Sequence, residues 1–193
     1  MAGIIATTYG DALFEAAKGK DILRELWDES SQILMILKEH PEFLKLLNNP
    51  KISRQETCEI VKAVFGGRIH DEILNLMYLM IEKGRQASIP QVLEYYISCC
   101  KEYYHIGVVH ITAPMPLSGV QQQRIEADII RDTEYKKLEV RYTIDPSILG
   151  GLVIRIGDRV LDTSVRSKLN RLTRELYKTR IPSPEEKTAA AEE

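Results

Sequence analysis

The chain has 193 residues, 44% of them hydrophobic and 28% charged, with a formal net charge of −2 at neutral pH. This length allows one large domain or two small ones, and the charge argues against nonspecific attraction to nucleic acid or anionic lipid. Cys58, Cys99 and Cys100 give no disulfide framework and are typical of a reducing cytosol. No apolar run approaches the ~20 residues that span a bilayer, and the N-terminus has no signal-peptide pattern, so we expect membrane association only through a partner.

Before Gly107 every periodic segment predicts a helix, and the breaks between segments are short. Ser53 and Ser88 each stand three residues before a Glu or Gln, which predicts a capping box at the start of a helix. The predicted helices cover about residues 4–17, 22–39, 41–47, 53–66, 71–83 and 88–104. Six antiparallel helices with short loops predict a bundle over residues 1–105.

Two of these helices are more apolar than a bundle position requires. In the first, a stripe of apolar side chains lies on one face, and Phe14 points well away from it; the stripe contains Ile5, Tyr9, Ala12 and Ala16. The fifth is apolar almost all round over residues 73–81. Such a helix is either central in the core or offers its outer side to another chain, and Met77 and Met80 suit an adaptable surface.

After Gly107 the spacing of apolar residues changes, and strand patterns appear among the helical ones. Residues 108–113 predict a strand, Ser118 caps a helix that runs to about 132, and residues 138–144 alternate as in a strand buried on one face. With the following stretch, the pattern predicts a small β-α-β-β-α domain over residues 106–181, and hence an α+β protein. The charged, Ala-rich segment 182–193 has nothing to bury and is predicted to be disordered.

The stretch 149–169 predicts a strand, a tight turn, a strand and a helix. Gly150 and Gly151 permit positive φ or close approach of another element, and Gly157-Asp158 is typical of a two-residue hairpin turn. Asp162 or Ser164 is placed to cap the last helix, and its apolar residues fall on one narrow stripe. The stripe consists of Val165, Leu169, Leu172 and Leu176.

The sequence offers no candidate for catalysis. It contains no phosphate-binding loop and no dinucleotide fingerprint, so we expect no cofactor. Cys99 and Cys100 point about 100° apart on a helix, and the nearby His105 and His110 lie past its end. These four residues therefore do not have the spacing of a known metal-ligand set. Asp162 with Arg166 at i+4 is more simply an ion pair at the helix start than a catalytic pair.

Positive charge is concentrated near the C-terminus: residues 155–180 contain 8 Lys and Arg against 3 Asp and Glu. Arg171, Arg174 and Lys178 share the face opposite the leucine stripe. The simplest interpretation is a solvated helix face, and the alternative is a docking surface for an acidic partner. An RNA-binding adaptor that uses this helix is a second hypothesis for function, although no nucleic-acid loop supports it.

The motif Leu149-Gly150-Gly151 followed by Ile156-Gly157-Asp158, Val160-Leu161-Asp162 and Ser164-Val165-Arg166 resembles the C-terminal signature of the F-type ATP synthase delta subunit family. The mitochondrial counterpart of that family is the oligomycin-sensitivity-conferring protein. Weaker similarities lie at Tyr9-Gly10-Asp11-Ala12-Leu13, Glu82-Lys83-Gly84-Arg85 and Pro116-Leu117-Ser118. This chain departs from the family pattern at Gly10, where Ala is usual, and at Pro114.

The resemblance implies a bacterial, noncatalytic stator subunit. In the family the N-terminal bundle takes the N-terminal helices of the alpha subunits, and the C-terminal domain holds the distal end of the b subunit. The implied candidates for the alpha-subunit helix are Ile5, Tyr9, Phe14, Met77, Met80 and Ile81, and those for the b subunit are Arg171, Arg174 and Lys178. The protein would be monomeric within its complex, peripheral to the cytoplasmic face of the plasma membrane without inserting in it, and would bind no nucleic acid.

Overall fold

The computed structural model describes residues 2–178, and its contacts divide the chain into two compact units, with the boundary between Tyr104 and His105. The described residues form eight α-helices and a four-stranded mixed sheet, which confirms the α+β prediction. The predicted disordered segment 182–193 lies outside the described residues.

The first unit is entirely helical. Its helices are α1 (Ala2–Gly19), α2 (Leu23–Glu39), α3 (Pro41–Leu47), α4 (Arg54–Phe65), α5 (Asp71–Glu82) and α6 (Ile89–Tyr103). Ser53 caps α4 with the predicted capping box, because its side chain accepts from the backbone of Glu56 and the Glu56 side chain accepts in return. The box predicted at Ser88 is wrong: residues 86–88 form a 3₁₀ turn, so Ser88 does not have the extended backbone that a capping side chain needs.

The core of this unit is built around α6. Tyr96 of α6 is fully buried, and its hydroxyl donates to the carbonyl of Leu23 at 3.1 Å, which satisfies a polar group in an apolar interior. At the start of α5, the backbone N–H and the ring Nδ1 of His70 contact the two carboxylate oxygens of Glu29 at 2.8 and 2.6 Å. This hydrogen bond raises the pKa of His70 and ties α2 to α5.

The second unit contains β1 (Ile106–Ala113), α7 (Gly119–Asp132), β2 (Lys137–Ile144), β3 (Val153–Ile156), β4 (Arg159–Asp162) and α8 (Val165–Lys178). The strand order is β2-β1-β3-β4, with β1 and β2 parallel and the other pairs antiparallel. Ser118 forms the predicted capping box with Gln121, and Ile129 of α7 packs with Val109 and Ile111 of the central strand β1. One face of the sheet is therefore a small core under α7.

Gly10 is buried in α1 at the point where this helix approaches α6. A Cβ atom at position 10 would lie 2.4 Å from Cδ1 of Tyr95, whose hydroxyl donates to Asp11 at 3.0 Å. The hydrogen bond to Asp11 raises the pKa of Tyr95 to about 12. The glycine that departs from the family pattern thus makes room for the ring of Tyr95.

We expect Gly10→Ala to lower the free energy of unfolding in the wild-type chain and to raise it in a Tyr95→Ala background. In the wild-type chain the clash with Tyr95 costs about 1–3 kcal/mol, which outweighs the gain of about 1 kcal/mol in helix propensity. In a Tyr95→Ala background the ring that the new Cβ would meet is absent, so Gly10→Ala is expected to raise the free energy of unfolding by about 1 kcal/mol through helix propensity alone. Urea unfolding of the four chains measures both effects, and stabilisation in both backgrounds would contradict the steric role of Gly10.

Candidate partner-binding surfaces

Helices α1 and α5 lie side by side, and polar contacts bridge both ends of the pair. Just past α1, Lys20 donates to the carboxylate of Glu72, and this contact raises the pKa of Lys20 and lowers that of Glu72. Just past α5, Arg85 donates to the hydroxyl of Tyr9 at 3.3 Å, and its guanidinium carbon lies 5.7 Å from the centre of the Tyr9 ring. The two bridges fix the spacing and register of the helices.

An apolar strip runs between these bridges. On α1 the side chains of Ile5 and Tyr9 are half-buried, and those of Ala12 and Ala16 are exposed. On α5, Leu79 is 42% exposed and stands two turns after Glu72 on the side that meets α1. We call these five residues the α1–α5 seam; its two alanines project little, so another helix could approach closely.

Three of the six residues expected to contact the alpha subunit are not at this surface. Met77, Met80 and Ile81 are only 3%, 1% and 1% exposed, because the faces of α5 that carry them form the core of the first unit. The apolar character of α5 therefore reflects burial, and a partner could reach these side chains only by opening the core.

Phe14 lies on a different side of α1. Its ring packs against two tyrosines of α6, with centroids 6.5 Å from Tyr96 and 5.8 Å from Tyr103. Tyr9 lies on the side of α1 that meets α5, so Phe14 cannot share one docking surface with it. Sequence reasoning missed Leu79. This residue follows Glu72 by seven positions, or two helical turns, so spacing alone places it on the same face of α5 as Glu72, which contacts Lys20.

The second candidate surface is the apolar face of α8. Val165, Leu169 and Leu172, three residues of the predicted apolar stripe, are 41%, 50% and 52% exposed. Within the described chain, α8 packs chiefly on the 3₁₀ turn at residues 146–148. The side chains of Leu176 and Lys178 are outside the description. The helix is therefore amphipathic, and the described part of its apolar face is exposed to solvent.

Arg171 and Arg174 are exposed on α8, as the sequence predicted for its basic side. Arg171 forms a long ion pair with Glu175 at 3.9 Å. Exposed charges of this kind contribute little binding energy by themselves, since water screens them.

The start of α8 is fixed by hydrogen bonds from both predicted caps. The Ser164 hydroxyl accepts from the backbone N–H of Ser167 at 3.2 Å, and Asp162 accepts from the backbone N–H of Ser164 at 2.8 Å and from the Ser167 hydroxyl. These bonds lower the pKa of Asp162. The predicted ion pair of Asp162 with Arg166 does not form, because Arg166 donates instead to the Ser147 hydroxyl at 3.1 Å.

The glycines before β3 let this junction close. A Cβ at Gly150 would lie 3.1 Å from Cγ2 of Val165, and one at Gly151, where φ is +79°, would lie 2.4 Å from the carbonyl oxygen of Thr163. Gly157 has φ +55° in the β3–β4 turn beside the exposed Asp158, with open space around it. The signature residues thus set backbone geometry and position the start of α8.

Reactive groups are sparse in the described part of the chain. Residues 2–178 contain no cluster of three potential metal-ligating side chains, and burial raises the pKa of all three thiols, that of Cys100 to about 11. These thiols are therefore protonated and weakly nucleophilic near neutral pH. None of the described helices has the length and apolar character to cross a membrane.

The family model of the ATP synthase delta (OSCP) subunit matches residues 5–176. The chain is 36% identical to ATP synthase subunit delta of Lachnoclostridium phytofermentans, over 94% of this chain and 100% of that one. It is 30% identical to the same subunit of Desulforudis audaxviator, over 93% and 98% of the two chains. Its fold is similar to a chain in the mitochondrial ATP synthase hexamer of Toxoplasma gondii, with a TM-score of 0.68, 19% identity, and coverage of 89% of this chain and 97% of that chain.

The geometry at Gly151 predicts a large difference between two glycine substitutions. Gly151→Ala forces a Cβ against the backbone of Thr163 at positive φ, which we expect to lower the free energy of unfolding by about 3 kcal/mol or more. Gly157→Ala also meets positive φ but has free space, so about 1 kcal/mol is expected. Urea unfolding with hydrogen exchange of the sheet amides measures both losses, and equal losses would exclude the contact with Thr163 as the cause.

Proposed function

The chain belongs to the ATP synthase delta (OSCP) subunit family, and we propose that it serves as a noncatalytic subunit of the peripheral stalk, or stator, of an F-type ATP synthase. The observation that supports this proposal is the extent of the match, which covers both units of the chain and the whole length of a relative named as subunit delta. A stator subunit holds the catalytic head against the torque of the rotor while protons cross the membrane sector. It needs surfaces that bind tightly, and it needs no reactive group.

We further propose that the six helices of residues 1–105 act as one bundle, which binds the N-terminal helices of the alpha subunits through the α1–α5 seam. The proposal rests on an exposed apolar strip between two helices whose spacing is fixed at both ends. An amphipathic helix that buries its apolar face there would cover Ala12, Ala16 and Leu79. Ile5 and Tyr9 keep their place as candidates, and the core residues of α5 do not.

For the domain at residues 106–181, we propose that the apolar face of α8 binds the C-terminal end of the b subunit. Completing the burial of three half-exposed aliphatic side chains contributes about 1 kcal/mol each, whereas exposed charges contribute 0–1 kcal/mol. Arg171, Arg174 and Lys178 would then form the polar rim of this contact. Through these two partners the subunit would be held, as a single copy, at the cytoplasmic side of the membrane.

Two contacts with one assembly explain how modest surfaces can hold a joint under load. A nanomolar dissociation constant corresponds to about −12 kcal/mol, more than one helix in a shallow seam supplies. Because both domains engage parts of the same complex, the second contact forms at a high effective concentration, and the combined binding can exceed either affinity by about 10²–10⁴.

The α1–α5 seam is tested with a peptide from the N-terminus of the cognate alpha subunit. We expect Ala12→Glu with Leu79→Asp to weaken its binding to the full chain at least tenfold, or about 1.4 kcal/mol, because charged groups would have to be buried under the peptide. Isothermal titration calorimetry gives the affinity, and circular dichroism shows that the variant is folded.

The control for this experiment is a double variant with similar chemistry elsewhere, Met35→Glu with Val120→Asp. Both wild-type side chains are exposed, and neither belongs to the seam. The control is expected to bind like the wild type. Unchanged affinity in the folded seam variant would rule out the seam as the docking surface, whereas absence of binding to the wild-type chain would count against the stator role itself.

The two faces of α8 are separated by a second pair of variants, measured against a peptide from the C-terminal end of the cognate b subunit. We expect Leu169→Asp with Leu172→Asp to reduce affinity more than tenfold, and Arg171→Gln with Arg174→Gln to reduce it about twofold. The opposite ranking, together with a steep dependence on salt, would assign the contact to the basic face instead.

A further inference from the structure

The side of the sheet opposite α7 is exposed at its centre. Strand register places His110 of β1 directly between Arg141 of β2 and Arg155 of β3, and all three side chains are exposed. We call these three residues the basic row. They point away from Val109 and Ile111, which are buried under α7, because successive side chains of a strand alternate between faces.

The basic row does not stabilise the sheet by charge. Arg141 and Arg155 are separated by two strand spacings, about 10 Å, which is close to the Debye length of about 10 Å at 0.1 M salt. Neither guanidinium forms an ion pair with a carboxylate among residues 2–178; Arg155 donates only to the backbone carbonyl of Gly157, at 3.4 Å. The two arginines flank His110 on adjacent strands and repel each other weakly, so stabilisation of the sheet does not explain their presence there.

The centre of this face fits carboxylates, and the two acidic residues on the same side of the sheet, Glu139 and Asp162, lie one row to either side of the basic row. Guanidinium groups bind carboxylates through paired hydrogen bonds, and the next row of the same face carries the hydroxyls of Thr112 and Thr143, which lie opposite each other. The described strand positions on this side include no Phe, Tyr or Trp. Base stacking, on which the binding of single-stranded nucleic acid depends, therefore has no platform here.

We propose that the open face of the sheet, centred on the basic row, is a docking surface for an acidic polypeptide segment of another protein. Charge complementarity identifies the class of partner, and the threonine hydroxyls add hydrogen bonds to its carboxylates. The basic row shares no residue with the α1–α5 seam or with the apolar face of α8. Its test therefore does not depend on the proposed stator role.

The test uses the full chain and a fluorescein-labelled peptide of ten glutamates, with binding followed by anisotropy at low salt. We expect Arg141→Gln with Arg155→Gln to weaken binding about tenfold or more, and to leave the midpoint of thermal unfolding unchanged or slightly raised. The matched control is Arg68→Gln with Arg124→Gln, which removes the same charge from α7 and from a loop of the first unit. It should weaken binding less than about twofold.

Each other outcome overturns the proposal in a defined way. Equal losses in the two double variants would show a nonspecific charge effect, and no binding by the wild-type chain would remove the site. Tighter binding of a ten-residue oligouridine that depends on the same two arginines would make this an RNA surface. If binding appears only when Glu185, Glu186, Glu192 and Glu193 are changed to Gln in the full chain, the occupant is the acidic C-terminal segment of the chain itself.

Discussion

The close approach of α1 to α6 is the constraint on which the helical unit depends. Gly10 lies against the ring of Tyr95, and the small side chains of Ala6 and Ala17 are buried with Leu13. A helix with such small buried residues sits deep between its neighbours, so its core-facing side and its α6-facing side are both used by the fold. What remains is the stripe beside α5, and the seam is exposed because no helix among the described residues packs over it.

The second unit follows a different plan. Its sheet has one covered face, and no described residue after β4 covers the centre of the other, where His110, Arg141 and Arg155 are exposed. The caps at Asp162 and Ser164, together with the glycines that let Thr163 and Val165 approach the turn before β3, fix where α8 begins. Further along the helix, Leu169 and Leu172 are half-exposed to solvent. A capped helix with an open apolar face is ordered before it binds, which lowers the entropic cost of association.

The sequence predicted element types well because period and capping are local properties. Both capping boxes with an extended serine formed, at Ser53 and Ser118, and the one that failed, at Ser88, was displaced by a 3₁₀ turn that leaves no sequence signal. Assigning faces was harder. Helical spacing shows which side chains share a face, but it does not show which neighbour covers that face. Spacing therefore makes Met77 and Phe14 surface candidates, although Met77 is in the core and Phe14 packs on α6.

The three surfaces differ in the physical basis of their binding, and this difference matters for a subunit under load. The seam and the apolar face of α8 would bind through aliphatic burial, which ionic strength hardly weakens and which excluded salts strengthen. The basic row would bind through exposed charges, which salt screens within a Debye length. Contacts that must resist torque in every catalytic cycle are best made by the first kind. The second kind is suited to a partner that associates quickly and leaves again, because electrostatic attraction raises the association rate more than it prolongs the complex.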